Sequence, residues 1–175
     1  MSRLMREIVD TALLTAIIFL VLNAATGRFM IKSVSMLPNL HEGEYVIVDK
    51  VSYLLHPPER GDIVVFDRDG EPEDLIKRVI GLPGETIEMN TGVVYIDGLP
   101  LEEPYINPSP GSSYAARKLG VDEYFVMGDN RGNSRDSRMF GPIQRASIVG
   151  RAWIIYWPPS DWAVVPHYAY AADKR

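Results

Sequence analysis

One long apolar run opens this chain, and nothing like it follows. Residues Ile8 to Ala25 are mostly apolar; Ile8-Val9, Ala12-Leu13-Leu14 and Ala16 to Leu22 are broken only by Asp10, Thr11, Thr15 and Asn23. Crossing a hydrocarbon core as a helix takes roughly 20 residues, so the run is near the lower limit for a span. Beyond it, apolar residues come only in pieces of strand length, punctuated by Gly, Pro and Asp. The chain is thereby constrained to an apolar N-terminal helix joined to a mainly β body.

The run admits two readings. As a retained anchor it divides the chain into a cytoplasmic N-terminus, 1–7, a transmembrane segment, 8–26, and an extracytoplasmic body, 27–175. Arg3 and Arg6 ahead of the run favour this orientation, and Arg28 and Lys32 beyond it weaken the bias. As a cleavable signal peptide its core would be Ala12–Leu22, with a poor cleavage site at Ala24-Ala25 behind Asn23.

The remaining ~140 residues suffice for one hydrophobic core. Glu44 to Val48, Ile63 to Phe66, Leu75 to Ile80, Gly92 to Ile96, Tyr124 to Met127 and Ile148 to Tyr156 read as strands. Asp97-Gly98 after the fourth is a hairpin signal. No segment of the body keeps a helical period, so the fold class is mainly β: a compact antiparallel sheet, barrel-like, behind one transmembrane helix. Residues Asn107 to Leu119, rich in Pro, Ser and Gly, read as a loop, and no second domain is visible. A net charge of −5 argues against a nucleic-acid partner. The chain has no Cys, and His41, His56 and His167 lack metal-ligand spacing, so neither a metal nor a cofactor is expected.

Four separated blocks carry chemistry: Ser33-Val34-Ser35-Met36-Leu37-Pro38-Asn39-Leu40, Gly61-Asp62-Ile63-Val64-Val65-Phe66, Lys77-Arg78-Val79-Ile80-Gly81-Leu82-Pro83-Gly84, and Gly128 to Arg138. A serine hydroxyl is a weak nucleophile and needs a base beside it. A lysine serves if burial strips its charge. Lys77 sits in Leu75-Ile76-Lys77-Arg78-Val79-Ile80, apolar enough for that, although a lysine whose stem covers core while its head reaches solvent fits the same segment. Taken alone, Ser35 fits an ordinary turn or helix cap equally well.

In this order, the four blocks resemble the type I signal peptidases of the bacterial leader peptidase family. These are membrane-bound serine proteases that cut signal peptides from exported proteins. The resemblance runs from about Phe29 to Trp157, plus the apolar run before it. It implies Ser35 as nucleophile, Lys77 as general base, Ser33 Oγ and the Ser35 N–H as oxyanion donors, and Ser134 as the residue orienting the lysine. It also implies Arg78, Asp136 and Arg138 as supporting ion pairs; on the residues alone, these three read equally as a solvated surface cluster. Phe29, Ile31, Met36, Leu40 and Ile76 match the walls of shallow pockets for small residues at substrate positions −1 and −3, and read equally as core. The implied partners are preprotein signal peptides and a lipid bilayer. The implied location is the bacterial inner membrane, single-pass, with the catalytic body outside. Three positions depart from the family pattern: Asn39 where Thr is usual, Gly132 where Asp is frequent, and Lys32 where Pro is common. Asn39 is expected to weaken the hydrogen bonding of the nucleophile turn.

Three rival readings remain. Self-cleaving repressors also use Ser-Lys chemistry, but they carry a DNA-binding helix-turn-helix where this chain has its apolar run. A Ser-His-Asp arrangement would draw on His41 and Asp62, with the histidine only six positions from Ser35. A non-catalytic anchored β-domain binding exported peptides would have no use for the Ser35, Lys77 and Ser134 combination.

Overall fold

The computed structural model describes residues 2–68, 70, 72–109 and 111–170. Helix α1 (Arg3–Ala25) starts earlier than the apolar run because Ser2 caps it, accepting a hydrogen bond from Met5 N at 3.3 Å. Its 23 residues span about 34 Å, enough for a hydrocarbon core of about 30 Å, and none of its side chains is buried. By length and composition α1 can cross a membrane.

The body is built from β1 (Thr26–Met30), β2 (Tyr45–Asp49), α2 (Ser52–Leu55), β3 (Ile63–Phe66), β4 (Leu75–Gly81), β5 (Thr86–Asn90), β6 (Val93–Ile96), β7 (Leu99–Pro100), β8 (Tyr114–Lys118), β9 (Glu123–Met127), α3 (Ser137–Phe140), β10 (Ile143–Gln144), β11 (Ile148–Trp157) and β12 (Ala163–Val164). One sheet runs in the order β1-β2-β11-β3-β4-β9-β10, with β12 also paired to β11; a smaller one runs β7-β6-β5-β8. Every pairing among the strands named above is antiparallel, so the expected mainly β class is met.

The expected strands around β2, β3, β4, β6, β9 and β11 form within a residue or so at each end. At the tight turn from β6 to β7, Asp97 and Gly98 take φ of 51° and 81°, the left-handed pair that an Asp-Gly hairpin requires. The stretch expected as loop needs correction, because Tyr114–Lys118 within it is β8. It is an edge strand with Ala115 to Lys118 all exposed, so no alternation marks it. The small sheet is not a separate body. Ile87, Met89, Val94 and Ile96 from it share a core with Ile80, Phe125 and Met127 of the large sheet.

Two features of the large sheet position the site. β4 lies between β3 and β9, with Lys77 opposite Val64 and Arg78 opposite Met127. The segment after β1 folds into a short 3-10 turn, Val34–Met36, whose Met36 packs in a core with Ile31, Leu40, Ile63 and Ile76. Core packing thus brings the first and third chemical blocks together.

Candidate active site

Lys77 is 3% exposed and Ser35 6%, and the lysine Nζ lies 2.8 Å from Ser35 Oγ. Its other hydrogen bond goes to the carbonyl of Ile76, at 2.7 Å. Among the described residues no carboxylate touches it. Burial pushes its pKa from 10.5 down to about 8, against the upward pull of Asp136 and Asp129. The snorkelling reading of Lys77 therefore does not hold, and the amine can be neutral at a mildly alkaline pH. Ser33 Oγ lies 3.1 Å from Ser35 Oγ, so the three polar groups expected at the centre of the chemistry are contiguous.

The fourth block braces the turn that carries Ser35. Asn130 donates from its backbone N–H to the Ser35 carbonyl at 3.0 Å, and from its side chain to the Val34 carbonyl at 3.1 Å. Gly128 has to be glycine, since a Cβ there would stand 2.3 Å from Ser134 Oγ and 2.5 Å from the Ser35 carbonyl oxygen.

The ion pairs differ in detail from expectation. Asp136 and Arg138 do pair, at 2.7 Å, and Asp136 also accepts from Gly128 N. Burial raises the Asp136 pKa, but the Arg138 guanidinium, the Gly128 N–H and the nearby Ser134 hydroxyl outweigh it and hold the carboxyl below its ordinary value. Arg78 pairs with neither of these two residues. It forms a two-pronged ion pair with Asp129, Nε to Oδ1 at 2.8 Å and a terminal nitrogen to Oδ2 at 2.7 Å. It also donates to the carbonyls of Gly61 and Pro166 and lies over the Tyr105 ring at 4.2 Å. Arg78, Asp129 and Asp136 are each 0% exposed, so a solvated surface cluster is ruled out.

Ser134 is not hydrogen-bonded to Lys77. Its hydroxyl is buried beside Asp136 and Gly128 without a well-formed hydrogen bond to any residue. Asn39, where weaker hydrogen bonding was expected, makes two side-chain hydrogen bonds. One side-chain nitrogen donates to the Tyr105 carbonyl at 2.7 Å and to Asp129 Oδ2 at 2.8 Å. Sequence reasoning missed Asp129, Asn130 and this role of Asn39. The signal was present, because the first two stand within the quoted Gly-Asp-Asn-Arg block.

Ile31, Met36, Leu40 and Ile76 are almost fully buried in one core, with Phe29 packed against it half-buried. Two clefts, of about 280 and 310 Å³, open elsewhere, and neither is lined by any of these five residues. The rival triad is not assembled: His41 pairs with Glu44 at 3.3 Å, and Asp62 with Tyr53, Arg151 and His167.

The family described as signal peptidase, peptidase S26, matches residues 4–157. The chain is 42% identical over 155 residues to a probable signal peptidase I-1 of Synechocystis, spanning 82% of this chain and 78% of that protein. It is 46% identical over 142 residues to a signal peptidase I of Leptolyngbya laminosa, spanning 77% and 70%. A solved signal peptidase I from Enterococcus faecalis V583 is 36% identical over 54% of this chain and 95% of that one, with a TM-score of 0.47, too loose a superposition to carry an argument.

Proposed function

This chain belongs to the signal peptidase family, peptidase S26, and is a serine endopeptidase that removes signal peptides; we propose that it does so with a Ser35–Lys77 dyad, cutting after small residues. The observation that carries the reading is the 2.8 Å contact between a buried serine hydroxyl and a buried lysine amine that, among the described residues, no carboxylate touches. Neutral Lys77 takes the Ser35 proton as Oγ attacks the scissile carbonyl. The developing oxyanion takes hydrogen bonds from Ser33 Oγ and the Ser35 N–H. Protonated Lys77 then gives its proton to the departing amine and, neutral again, activates the water that releases the acyl chain from Ser35.

Ser134 completes the site as the group that aims the lysine. Its buried hydroxyl stands against Gly128, the same residue that the Ser35 carbonyl packs on, and so lies beside the turn that carries Ser35. Half-buried Phe29 is the wall against which small side chains at positions −1 and −3 rest, with Ile31, Met36, Leu40 and Ile76 packed behind it, and this gives the Ala-x-Ala preference. The substrate strand adds to the sheet through main-chain hydrogen bonds. Arg78, Asp136 and Arg138 hold the floor of the site. The segment 8–26, nearly all of it within helix α1, anchors the enzyme in the bacterial inner membrane, with residues 1–7 inside and the catalytic body, 27–175, outside.

The test is cleavage of a preprotein with a Cys-free Ala-x-Ala site by the detergent-solubilised chain. Ser35→Ala and Lys77→Ala should each abolish cleavage with the fold retained. Full turnover by either variant would remove the dyad. Exchange of Ala for a bulky residue at −1 or −3 should abolish cleavage by the native enzyme, and equal rates would remove the pocket assignment.

A further inference from the structure

Helix α2 exposes two consecutive leucines, Leu54 at 80% and Leu55 at 84%, with Val51 ahead of them at 39%. A pair of exposed leucines on a floppy loop would mean little, but α2 is held rigidly. Asp49 Oδ1 accepts from Val51 N at 2.8 Å and Ser52 N at 3.1 Å, and Asp49 also takes the Ser52 hydroxyl. Tyr53, 7% exposed, points inward and donates to Asp62 Oδ2 at 2.8 Å. The Arg145 guanidinium bonds the Tyr53 carbonyl and lies 5.4 Å from the centre of its ring. The polar face of α2 is therefore pinned into the body, and its two largest apolar side chains are held outward.

The place of α2 in the fold says what they meet. β1 leaves the end of α1, and β2 returns antiparallel to it, so that Asp49 faces Thr26. Lys50 N donates to the carbonyl of Ala25, the last residue of α1, at 3.0 Å. Beyond Asp49 the chain continues in the direction that leads back to α1, and α2 begins two residues past Lys50. The two leucines thus sit at the end of the body from which the apolar helix emerges. Lys50 is exposed there, with its stem packed over Gly27, at the level where lipid headgroups would surround α1.

We propose that α2 is an interfacial wedge, whose Leu54 and Leu55 enter the outer edge of the bilayer that α1 crosses, giving the catalytic body a second attachment and fixing its tilt. The proposal rests on the reading of α1 as an anchor. Two leucines transferred from water to the acyl boundary each gain about what a buried leucine gains in a core, and the rigid mount spends no ordering entropy on them.

The chain has no Cys, so single probes are clean. The full chain is made as Ile17→Cys, Leu54→Cys, Leu55→Cys and Leu99→Cys, each labelled with an environment-sensitive dye and reconstituted into phosphatidylcholine–phosphatidylglycerol vesicles. Leu99, 72% exposed on β7 of the small sheet, is the aqueous reference. Emission is compared with and without lipids spin-labelled near the headgroup or near the chain end. The expected result is a blue-shifted dye at 54 and 55, quenched most by the shallow label, a dye at 17 quenched most by the deep label, and an unquenched dye at 99. If 54 and 55 behave like 99 while 17 reads lipid, the wedge is overturned and the anchor stands. If 17 also reads water, the anchor reading fails and the wedge fails with it.

Discussion

Lys77 and Arg78 are adjacent cations on one strand, both buried, and their surroundings are opposite. Arg78 has a two-pronged carboxylate, two carbonyls and an aromatic face. Lys77 has one hydroxyl and one carbonyl. A guanidinium keeps its charge under any condition a protein survives, so it has to be paired when buried. An ammonium buried without a carboxylate gives up its charge instead. The strand therefore supplies a permanent cation that fixes geometry and, one residue earlier, an amine that can move a proton.

The largest expected effect comes from making the two positions alike. Lys77→Arg should reduce kcat for preprotein cleavage by a factor on the order of 10⁴ or more, about 5.5 kcal/mol of barrier, because guanidinium does not accept the Ser35 proton. Gel assay of single-turnover cleavage measures it; a rate within tenfold of native would end the general-base assignment.

Next is removal of the pairing that Arg78 has and Lys77 lacks. Asp129→Asn keeps the shape and leaves Arg78 buried without a counter-charge, a change that typically costs 3–5 kcal/mol. Urea unfolding in detergent, followed by tryptophan emission, reads that loss. Where the variant still turns over, its rate should begin to rise at a lower pH than the native rate, because the Asp129 charge is one of the two that pull Lys77 upward. An unmoved pH limb would separate Asp129 from the base.

The lysine's own burial predicts a smaller effect of the opposite sign. The drop from 10.5 to about 8 corresponds to roughly 3 kcal/mol. Below pH 8 the amine is charged in both folded and unfolded chains, and the folded state bears the whole burial penalty. Between about 8 and 10.5 the unfolded chain binds more protons, so stability rises with pH and the penalty fades. Lys77→Met should accordingly be inactive yet more stable than native at pH 7, with the gap closing as the pH approaches 10.5. A gap that is constant across that range would show the lysine to be charged throughout.

How far the sequence disclosed this arrangement follows from where physical chemistry is local. Lys77 was legible only from the four blocks together, because its own segment, with Ile76 before it and Arg78 after it, fits a snorkelling lysine equally well. β3 was legible as the continuous apolar run Ile63-Val64-Val65-Phe66, and β4 because Leu75-Ile76 and Val79-Ile80 bracket its two cations. The partner of Arg78 was not, since Asp129 and Asp136 stand in one block and only the path of β9 beside β4 decides which carboxylate meets the guanidinium. β1 was hidden by its continuity with α1. β8 was hidden by its exposure at a sheet edge. Ser134 stands beside Gly128 and Asp136, and its hydroxyl orientation depends on packing against them, which no spacing encodes.

Asn39 sharpens the contrast most finely, because it touches the paired side and acts on the unpaired one. It ties the nucleophile turn to Asp129, and through Asp129 to Arg78 on the strand of the base. Asn39→Ala deletes both of its hydrogen bonds and should cost about 1–2 kcal/mol in urea unfolding. Asn39→Thr, the residue common in the family, should fall between, as its shorter side chain reaches at most one of the two acceptors. The kinetic consequence runs against that of Asp129→Asn. Without the amide, the Asp129 charge is less compensated and draws Lys77 up, so the rate should begin to rise at higher pH rather than lower. If Asn39→Ala and Asp129→Asn displace the pH limb in the same direction, electrostatics does not link the two cations and the turn is merely held in place.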